Sequence, residues 1–238
     1  MNGPVPGNAP ALLITIDGPA GAGKTTVSRR LARELGYAYV DTGALYRAVA
    51  WAAREHGIGP KDDAALAAFL PDLSLSFDGP EGRIHANGKD IAEAVRTPEI
   101  SMLASAISAR PCVRRFLLDV QIRLGKWKSA VFEGRDMGTV VFPDADIKFF
   151  LTADMAVRAR RRFDELRKCG EPGGKPPQTC EQVAVDLQRR DRQDAGRDIA
   201  PLKPAHDAIH IDASLCSVEE VVSRMMTIIS AHLSEGST

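Results

Sequence analysis

The sequence predicts an α/β protein in which helices cover a parallel sheet on both faces. Short apolar segments alternate along the chain with longer segments of helical periodicity, and a glycine-rich turn follows the first apolar segment. Strands that alternate with helices usually pair in parallel, because a helix is the common crossover between parallel neighbours. We therefore expect one parallel core with a layer of helices on each side.

The first four elements are predicted in the order strand, helix, strand, helix. Residues 12–16 form an apolar run, and residues 24–35 repeat apolar side chains at helical spacing. Gly36 then ends the helix, residues 37–40 form the second strand, and residues 44–54 form the second helix. This order is the basic unit of a parallel sheet.

The rest of the chain continues the alternation with two interruptions. Residues 73–91 alternate apolar and polar side chains around Asp-Gly and Asn-Gly pairs, which predicts a small antiparallel insertion. Residues 168–178 are rich in Gly and Pro between two helical segments, which predicts a mobile tip. Further strands are predicted at 130–132, 147–151 and 208–211, and helices at 97–126, 155–167, 181–193 and 218–233.

The composition is that of a globular protein without bulk charge. The chain has 238 residues, of which 44% are hydrophobic, and 31 basic side chains balance 31 acidic ones. With no net positive field, neither a nucleic acid nor a membrane is an expected partner. Arginines, which bind phosphate through paired hydrogen bonds, make up 22 of the basic residues. Codon bias gives the same excess, so only their positions decide between the two explanations.

Cysteine usage and the N-terminus favour a cytoplasmic protein. Four scattered cysteines without a C-x-x-C pair predict neither a zinc ribbon nor a disulfide framework. Residues 1–10 lack Lys and Arg and are rich in Gly, Pro and Asn, which predicts a disordered tail and no signal peptide. We expect a single domain over residues 11–234, and a monomer, since no long apolar stripe remains once the core is assigned.

A phosphate-binding loop is predicted between the first strand and the first helix. Residues 18–25 match G-x-x-x-x-G-K-[ST] in the context that the motif requires. Glycines let backbone N–H groups turn toward phosphate oxygens, Lys24 reaches the β and γ phosphates, and the Thr25 hydroxyl ligates Mg²⁺. The predicted residues for ATP with Mg²⁺ are Gly18, Pro19, Ala20, Gly21, Ala22, Gly23, Lys24, Thr25 and Thr26. The N-K-x-D and D-x-x-G elements of switch GTPases are absent, which leaves a compact kinase as the simplest class.

Further blocks make the chain resemble the bacterial cytidylate kinases. They are D-T-G-A-L-Y-R at 41–47, R-T at 96–97, E-G-R-D-M-G-T-V-V-F-P at 133–143, and R-R-D at 189–191 with the segment to residue 202. The resemblance implies a three-layer P-loop NTPase core, with a small antiparallel insertion in the NMP-binding region at about 60–110 and a helical lid at about 155–197. It implies transfer of the γ-phosphoryl group of ATP to CMP or dCMP.

The resemblance also assigns roles to individual residues of this chain. Lys24, Arg135, Arg158 and Arg162 are the expected catalytic residues, the last two on a lid that closes over ATP. The expected substrate-binding residues are Thr42, Arg47, Ser105, Arg114, Arg135, Asp136, Arg190, Asp194 and Arg197. Among them Arg47, Arg135 and Arg197 are assigned to the acceptor phosphate, Arg190 and Asp194 to the ribose, and Ser105, Arg114 and Asp136 to the base. A carboxylate at 136 accepts from the N4 amine of cytosine and repels the O4 of uracil, so it selects C over U. Asp17 and Glu133 are weaker candidates for orienting Mg²⁺-bound water.

Several alternatives remain open on the sequence alone. Arg135 and Asp136 could form a surface ion pair, and Ser105 and Arg114 could lie on a solvated helix face. Another acceptor, such as UMP, AMP or shikimate, would suit a similar loop. The arginines at 158–162 would also suit an RNA-binding ATPase, although Phe163 is the sole aromatic residue near them.

Overall fold

The computed structural model describes residues 11–78, 82–126, 128–169, 179–197 and 199–235. Its strands are β1 Leu13–Asp17, β2 Ala38–Asp41, β3 Leu75–Asp78, β4 Arg83–Ala86, β5 Lys89–Asp90, β6 Ala130–Gly134, β7 Ile147–Thr152 and β8 Ile209–Asp212. Its α-helices are α1 Lys24–Leu35, α2 Thr42–Glu55, α3 Asp63–Phe69, α4 Pro98–Ile107, α5 Pro111–Gly125, α6 Met155–Cys169, α7 Cys180–Ala195 and α8 Val218–Glu235. The predicted tail at 1–10 and the tip at 170–178 lie outside the described residues.

Five strands form one parallel sheet in the order β2-β6-β1-β7-β8. Apolar side chains of α1 and α8 pack on one face, and the other face is covered by the segment 137–145 and by α5. The predicted α/β class with a covered parallel sheet is therefore confirmed. Because β1 and β6 pair with Asp17 opposite Gly134, the carboxyl ends of these strands meet at one edge. The strand order changes direction there, where α/β proteins commonly bind ligands.

The antiparallel insertion is present as a separate three-stranded sheet, β3-β4-β5. Asn87 and Gly88 have positive φ values of 49° and 78°, as a two-residue Asn-Gly turn requires. The Asp78-Gly79 turn extends into residues that are not described. A short helix that the sequence analysis did not predict, α3, precedes the sheet, and the Asp62 side chain caps it by accepting from Ala65 N.

One predicted helix is divided in the structure. The stretch 97–126 forms α4 and α5, separated by residues 108–110. The division has a local cause, because Pro111 starts α5 and holds Arg110 in the extended region, at φ −84° and ψ 125°. The break brings Ser108 and the first turn of α5 to the carboxyl edge of the sheet, where they contribute to the site described next.

The segment predicted to be a lid forms the helix pair α6 and α7. Ala159 of α6 and Val183 and Leu187 of α7 form an apolar cluster that also contains Ala20 of the phosphate loop. Both helices therefore pack directly on the phosphate loop. Within the described residues, no helix is long and apolar enough to cross a membrane.

Candidate active site

The phosphate loop connects β1 to α1 through two glycines that other residues could not replace easily. Gly18 and Gly23 have φ values of 148° and 95°, a range that favours glycine. A side chain at Gly18 would also overlap the carbonyl oxygen of Leu151 on β7. No side chain caps the start of α1 within the described residues. Its first N–H groups therefore remain available to phosphate oxygens.

Lys24 is buried at the start of α1 and folds back on the loop. Its ammonium group donates to the carbonyl oxygens of Gly18 and Pro19, at 2.8 Å each. Burial, together with the positive charge of Arg135, holds the pKa of Lys24 well below its ordinary value. Both acceptors are neutral carbonyl oxygens, so neither compensates the positive charge of Lys24. A bound phosphate would supply that negative charge.

Glu133, near the end of β6, joins the phosphate loop to the start of α2. Its Oε1 accepts a hydrogen bond from the Thr25 hydroxyl at 2.8 Å, and its carbonyl oxygen accepts one from the Thr42 hydroxyl at 2.7 Å. Oε2 is buried and has no hydrogen-bond partner among the described residues. Burial, with the nearby charge of Asp41, raises the pKa of Glu133 to about 7.

Thr25 and Glu133 fit a magnesium site shared with a nucleotide. Mg²⁺ takes oxygen ligands, keeps several waters, and is commonly held by one or two protein groups plus substrate phosphates. A hydroxyl and a carboxylate oxygen without a partner, both beside the loop, are donors of this kind. The part of the chain that the structure describes contains no cluster of three His, Cys, Asp or Glu that would hold a metal alone. Asp17, the other weaker candidate, accepts one backbone N–H at each of its two oxygens.

Arg158, one of the expected catalytic residues, is bound by other protein groups in the structure. This side chain is buried, and its guanidinium donates to the carbonyl oxygens of Ala153 and Ala20, at 2.9 and 3.0 Å, and to Asp191 Oδ2 at 2.6 Å. Asp191 on α7 also accepts the N–H of Ala20 at 3.3 Å. Arg158 and Asp191 therefore bind both α6 and α7 to the phosphate loop. Asp191 was not predicted as a site residue, although it stands inside the quoted R-R-D block.

The three arginines assigned to the acceptor phosphate are each held by a carboxylate. Arg47 donates to Asp41 Oδ2 at 2.8 Å. Arg135 and Arg197 donate to the two oxygens of one residue, Asp194, at 3.0 and 2.5 Å. Asp194 is 3% exposed, so one buried carboxylate orients two guanidiniums. Asp194 thus joins the segment after β6, α7 and the segment after α7.

Arg190 differs from its neighbours because no carboxylate of the described residues lies within ion-pairing distance of it. Desolvation and the positive charge of Arg135 lower the pKa of Arg190 to about 10, and Arg47 and Arg162 act in the same direction. Part of the Arg190 side chain is exposed to water. Protein atoms lie close enough around its guanidinium group to desolvate that group. Such an environment is that of a cleft wall, and the crowded positive charge favours an anion there. Arg162 remains partly exposed and pairs with Glu165 at 2.7 Å.

Asp136 is paired with Arg114, not with its sequence neighbour Arg135. Arg114 donates to Asp136 Oδ2 at 2.5 Å, and both side chains are largely buried. The surface ion pair between residues 135 and 136 that the sequence left open is therefore excluded. Burial raises the pKa of Asp136, and the positive charge of Arg114 opposes this shift.

Ser108 is a site residue that the sequence analysis missed. Its carbonyl oxygen accepts from Arg114 at 3.4 Å, and its hydroxyl accepts from Arg197 at 3.3 Å while donating to the carbonyl of Ser105 at 2.8 Å. Ser108 thus connects the residues assigned to the base with one assigned to the phosphate. The Ser105 hydroxyl has no partner among the described residues. The only sequence signal for Ser108 is its position in the break before Pro111.

Comparison with known proteins identifies the family. The sequence model described as Cytidylate kinase matches residues 14–231. A cytidylate kinase from Geobacter sulfurreducens is 48% identical over 92% of this chain and 92% of its own length. Another, from Geobacter sp. (strain M21), is 45% identical over 94% of this chain and 95% of its own. A bifunctional pantoate ligase/cytidylate kinase from Prochlorococcus marinus (strain MIT 9303) is 42% identical, and the chain covers 46% of that protein. The prediction made from the sequence is confirmed, and the chain belongs to the cytidylate kinase family.

Proposed function

We propose that this kinase transfers the γ-phosphoryl group of Mg²⁺-bound ATP to the phosphate of CMP or dCMP at the carboxyl edge of the parallel sheet. The observation that carries the proposal is the convergence of five cationic side chains, of which burial and the positive charge of the others lower the pKa of Lys24 and Arg190: Lys24, Arg47, Arg135, Arg162 and Arg190. These cations come from four helices and one strand end. Two phosphate groups that react with each other carry negative charge, and cations at the site must compensate that charge.

The donor nucleotide binds at the phosphate loop. Backbone N–H groups of the loop and of the first turn of α1 bind its phosphates, and Lys24 turns from the carbonyls of Gly18 and Pro19 to the transferred group. Thr25 and Glu133 would hold the Mg²⁺ ion. When bound, this ion neutralises phosphate charge and fixes the geometry of the triphosphate.

Transfer needs no covalent intermediate and no strong base, because the attacking oxygen of the acceptor is already an anion. A bond forms between this oxygen and the γ-phosphorus, and the bond from that phosphorus to the β–γ bridging oxygen breaks, leaving its electrons on ADP. Arg135 and Arg162 stabilise the charge that spreads over the transferred group. Arg47 and Arg197 hold the acceptor phosphate in line, so catalysis is positioning and charge compensation.

The base is selected by Asp136 and Arg114. The carboxylate of Asp136 accepts from the N4 amine of cytosine, and Arg114 donates to the O2 and N3 side while it orients Asp136. Uracil presents an oxygen where cytosine presents the amine, so UMP meets repulsion at the same position. Arg190 and Asp194 hold the ribose. The hydrogen bonds from Arg135 and Arg197 fix the Asp194 side chain in the position from which it makes this contact.

A coupled assay of ADP formation across CMP, dCMP, UMP and AMP tests the proposal. We expect efficient turnover with CMP and dCMP, at least tenfold slower turnover with UMP, and acceptor-dependent ADP formation without RNA. Lys24→Ala should abolish turnover and leave the circular dichroism spectrum unchanged, whereas Lys61→Ala, at an exposed lysine outside the site, should keep full activity. Equal rates with CMP and UMP would reject the role of Asp136. RNA-stimulated ATPase activity without an acceptor would favour the alternative class.

A further inference from the structure

Asp17 is a buried carboxylate that the proposed reaction does not use directly. It is the last residue of β1 and stands immediately before Gly18 of the phosphate loop. Its side chain reaches the segment after β6, where Oδ1 accepts the N–H of Met137 at 3.0 Å and Oδ2 accepts the N–H of Gly138 at 2.8 Å. Both oxygens are therefore engaged with the backbone that follows Asp136.

The two N–H groups belong to the start of a single wide helical turn, Met137–Val141. The first N–H groups of any helical turn lack a partner inside it, and the preceding residue usually supplies one from its own side chain. Aspartate is among the best residues for this capping role. Asp136 occupies the capping position here, yet its side chain makes no capping bond and pairs with Arg114 instead.

Asp17 thus supplies from β1 the cap that Asp136 would otherwise supply itself. The turn is also confined on its far side, because a Cβ at Gly138 would lie 3.2 Å from both the Lys148 side chain and the Thr15 hydroxyl. Because Asp17 satisfies the N–H groups of Met137 and Gly138, these two donors do not compete with Arg114 and the base for the Asp136 carboxylate.

We propose that Asp17 is a positioning residue for base selection, which caps the 137–141 turn and so keeps the Asp136 carboxylate directed at the substrate. The inference rests on the proposed role of Asp136. It also connects the two substrate sites, because Asp17 is joined by one peptide bond to the loop that binds ATP. A shift of the phosphate loop therefore moves the cap of the base-selecting turn.

Asp17→Asn tests this inference with little change in size. An asparagine has one acceptor and presents an amide N–H₂ to the second backbone N–H, so one of the two bonds is lost and two donors face each other. We expect the ratio of kcat/KM for CMP to that for UMP to fall by about tenfold, the equivalent of about 1.4 kcal/mol. The KM for ATP should change by less than about threefold. Using a ratio removes any effect of a smaller folded fraction.

Asp146→Asn is the matched control. Asp146 also binds a backbone N–H of β1, since its Oδ2 accepts from Leu13 N at 2.7 Å, but at the opposite end of the strand. This variant should lose stability and keep the wild-type ratio. If Asp17→Asn does not fold, Asp17→Ser keeps one short acceptor, and the same loss of selectivity is expected from it.

A double-mutant cycle separates this inference from the proposed function. If Asp17 acts through Asp136, then Asp17→Asn should not change the CMP to UMP ratio further once Asp136→Asn is present. An unchanged ratio in Asp17→Asn, or a rise in the KM for ATP alone, would overturn the positioning role. An unchanged ratio in Asp136→Asn would instead overturn the proposed function, whatever Asp17→Asn shows.

Discussion

Asp136→Asn is the most informative single substitution, because it replaces one acceptor of a carboxylate by a donor without changing the shape of the side chain. In the structure the Asp136 carboxylate is 5% exposed and accepts from Arg114 at 2.5 Å. An asparagine keeps its Oδ1 for Arg114 and turns its amide N–H₂ toward the base. Cytosine then presents its amine to a donor, while uracil presents an acceptor.

The expected magnitude follows from the value of one discriminating base contact. A good hydrogen-bond set discriminates the correct base by about 1–3 kcal/mol, which corresponds to roughly 5-fold to 150-fold in kcat/KM. We therefore expect the CMP to UMP preference to fall by at least about fivefold, with part of the change appearing as a gain for UMP. The KM for ATP should change little, since the Asp136 side chain makes no hydrogen bond or ion pair with the described residues of the phosphate loop.

The measurement is kcat/KM for both acceptors at saturating ATP, with Ser108→Ala as a comparison. Ser108→Ala removes the hydroxyl that Arg197 contacts but leaves the Arg114 and Asp136 pair intact. It should raise the KM for both acceptors together and leave the preference unchanged. If Asp136→Asn keeps the full preference for CMP, the base is selected elsewhere and the reasoning fails.

Three further predictions concern anchoring, pH and magnesium. Arg158→Met should lower the free energy of unfolding by about 3 kcal/mol in urea titrations and raise the KM for ATP, because it leaves Asp191 without its buried partner. Arg160→Met, at an exposed pair on the same helix, should cost less than about 1 kcal/mol. Burial raises the pKa of Asp17 from 3.8 to about 6. The negative charge of Asp136 acts in the same direction, and two backbone N–H bonds and the charge of Lys24 oppose the shift. Between about pH 4 and 6 the folded protein therefore binds a proton that the unfolded chain has released. The difference in unfolding free energy between wild type and Asp17→Asn should therefore fall by about 2 kcal/mol from pH 4.5 to 7.5, and a rise would contradict this sign. Thr25→Ala should raise the Mg²⁺ concentration that gives half-maximal activity by about tenfold at fixed ATP, and an unchanged Mg²⁺ requirement would exclude Thr25 as a ligand.

The phosphate loop and the family blocks could be predicted because their chemistry depends on local sequence. Gly18 and Lys24 are recognisable from spacing alone, and the alternation of elements gives the parallel sheet. Arg158 shows the limit of this reasoning. Its place on a helix face follows from the sequence, but which partner that face meets depends on how α6 packs on the loop. The contact with Asp191, thirty-three positions away, has no local signature.

The division between α4 and α5 was predictable in principle and was nevertheless missed. Pro111 disfavours helical backbone at the residue before it, a signal that outweighs the apolar periodicity on either side. Ser108 became a site residue only because the chain turns there. The partner of Asp17 was not predictable in the same way, since a carboxylate at a strand end serves equally well as a metal ligand or as a cap for a distant turn.

The pairing of arginines with carboxylates explains how a chain with zero net charge binds doubly charged substrates. Each guanidinium has five N–H donors, and the bonds to Asp41, Asp136 and Asp194 use only some of them. These carboxylates orient the planes of Arg47, Arg114, Arg135 and Arg197 before the substrate arrives, and the remaining donors stay available. The internal ion pairs therefore reduce the long-range field that would attract a polyanion, while they preserve the short-range geometry that a phosphate and a cytosine require. Arg190, which lacks such a carboxylate among the described residues, is the group whose charge a bound anion would compensate most directly.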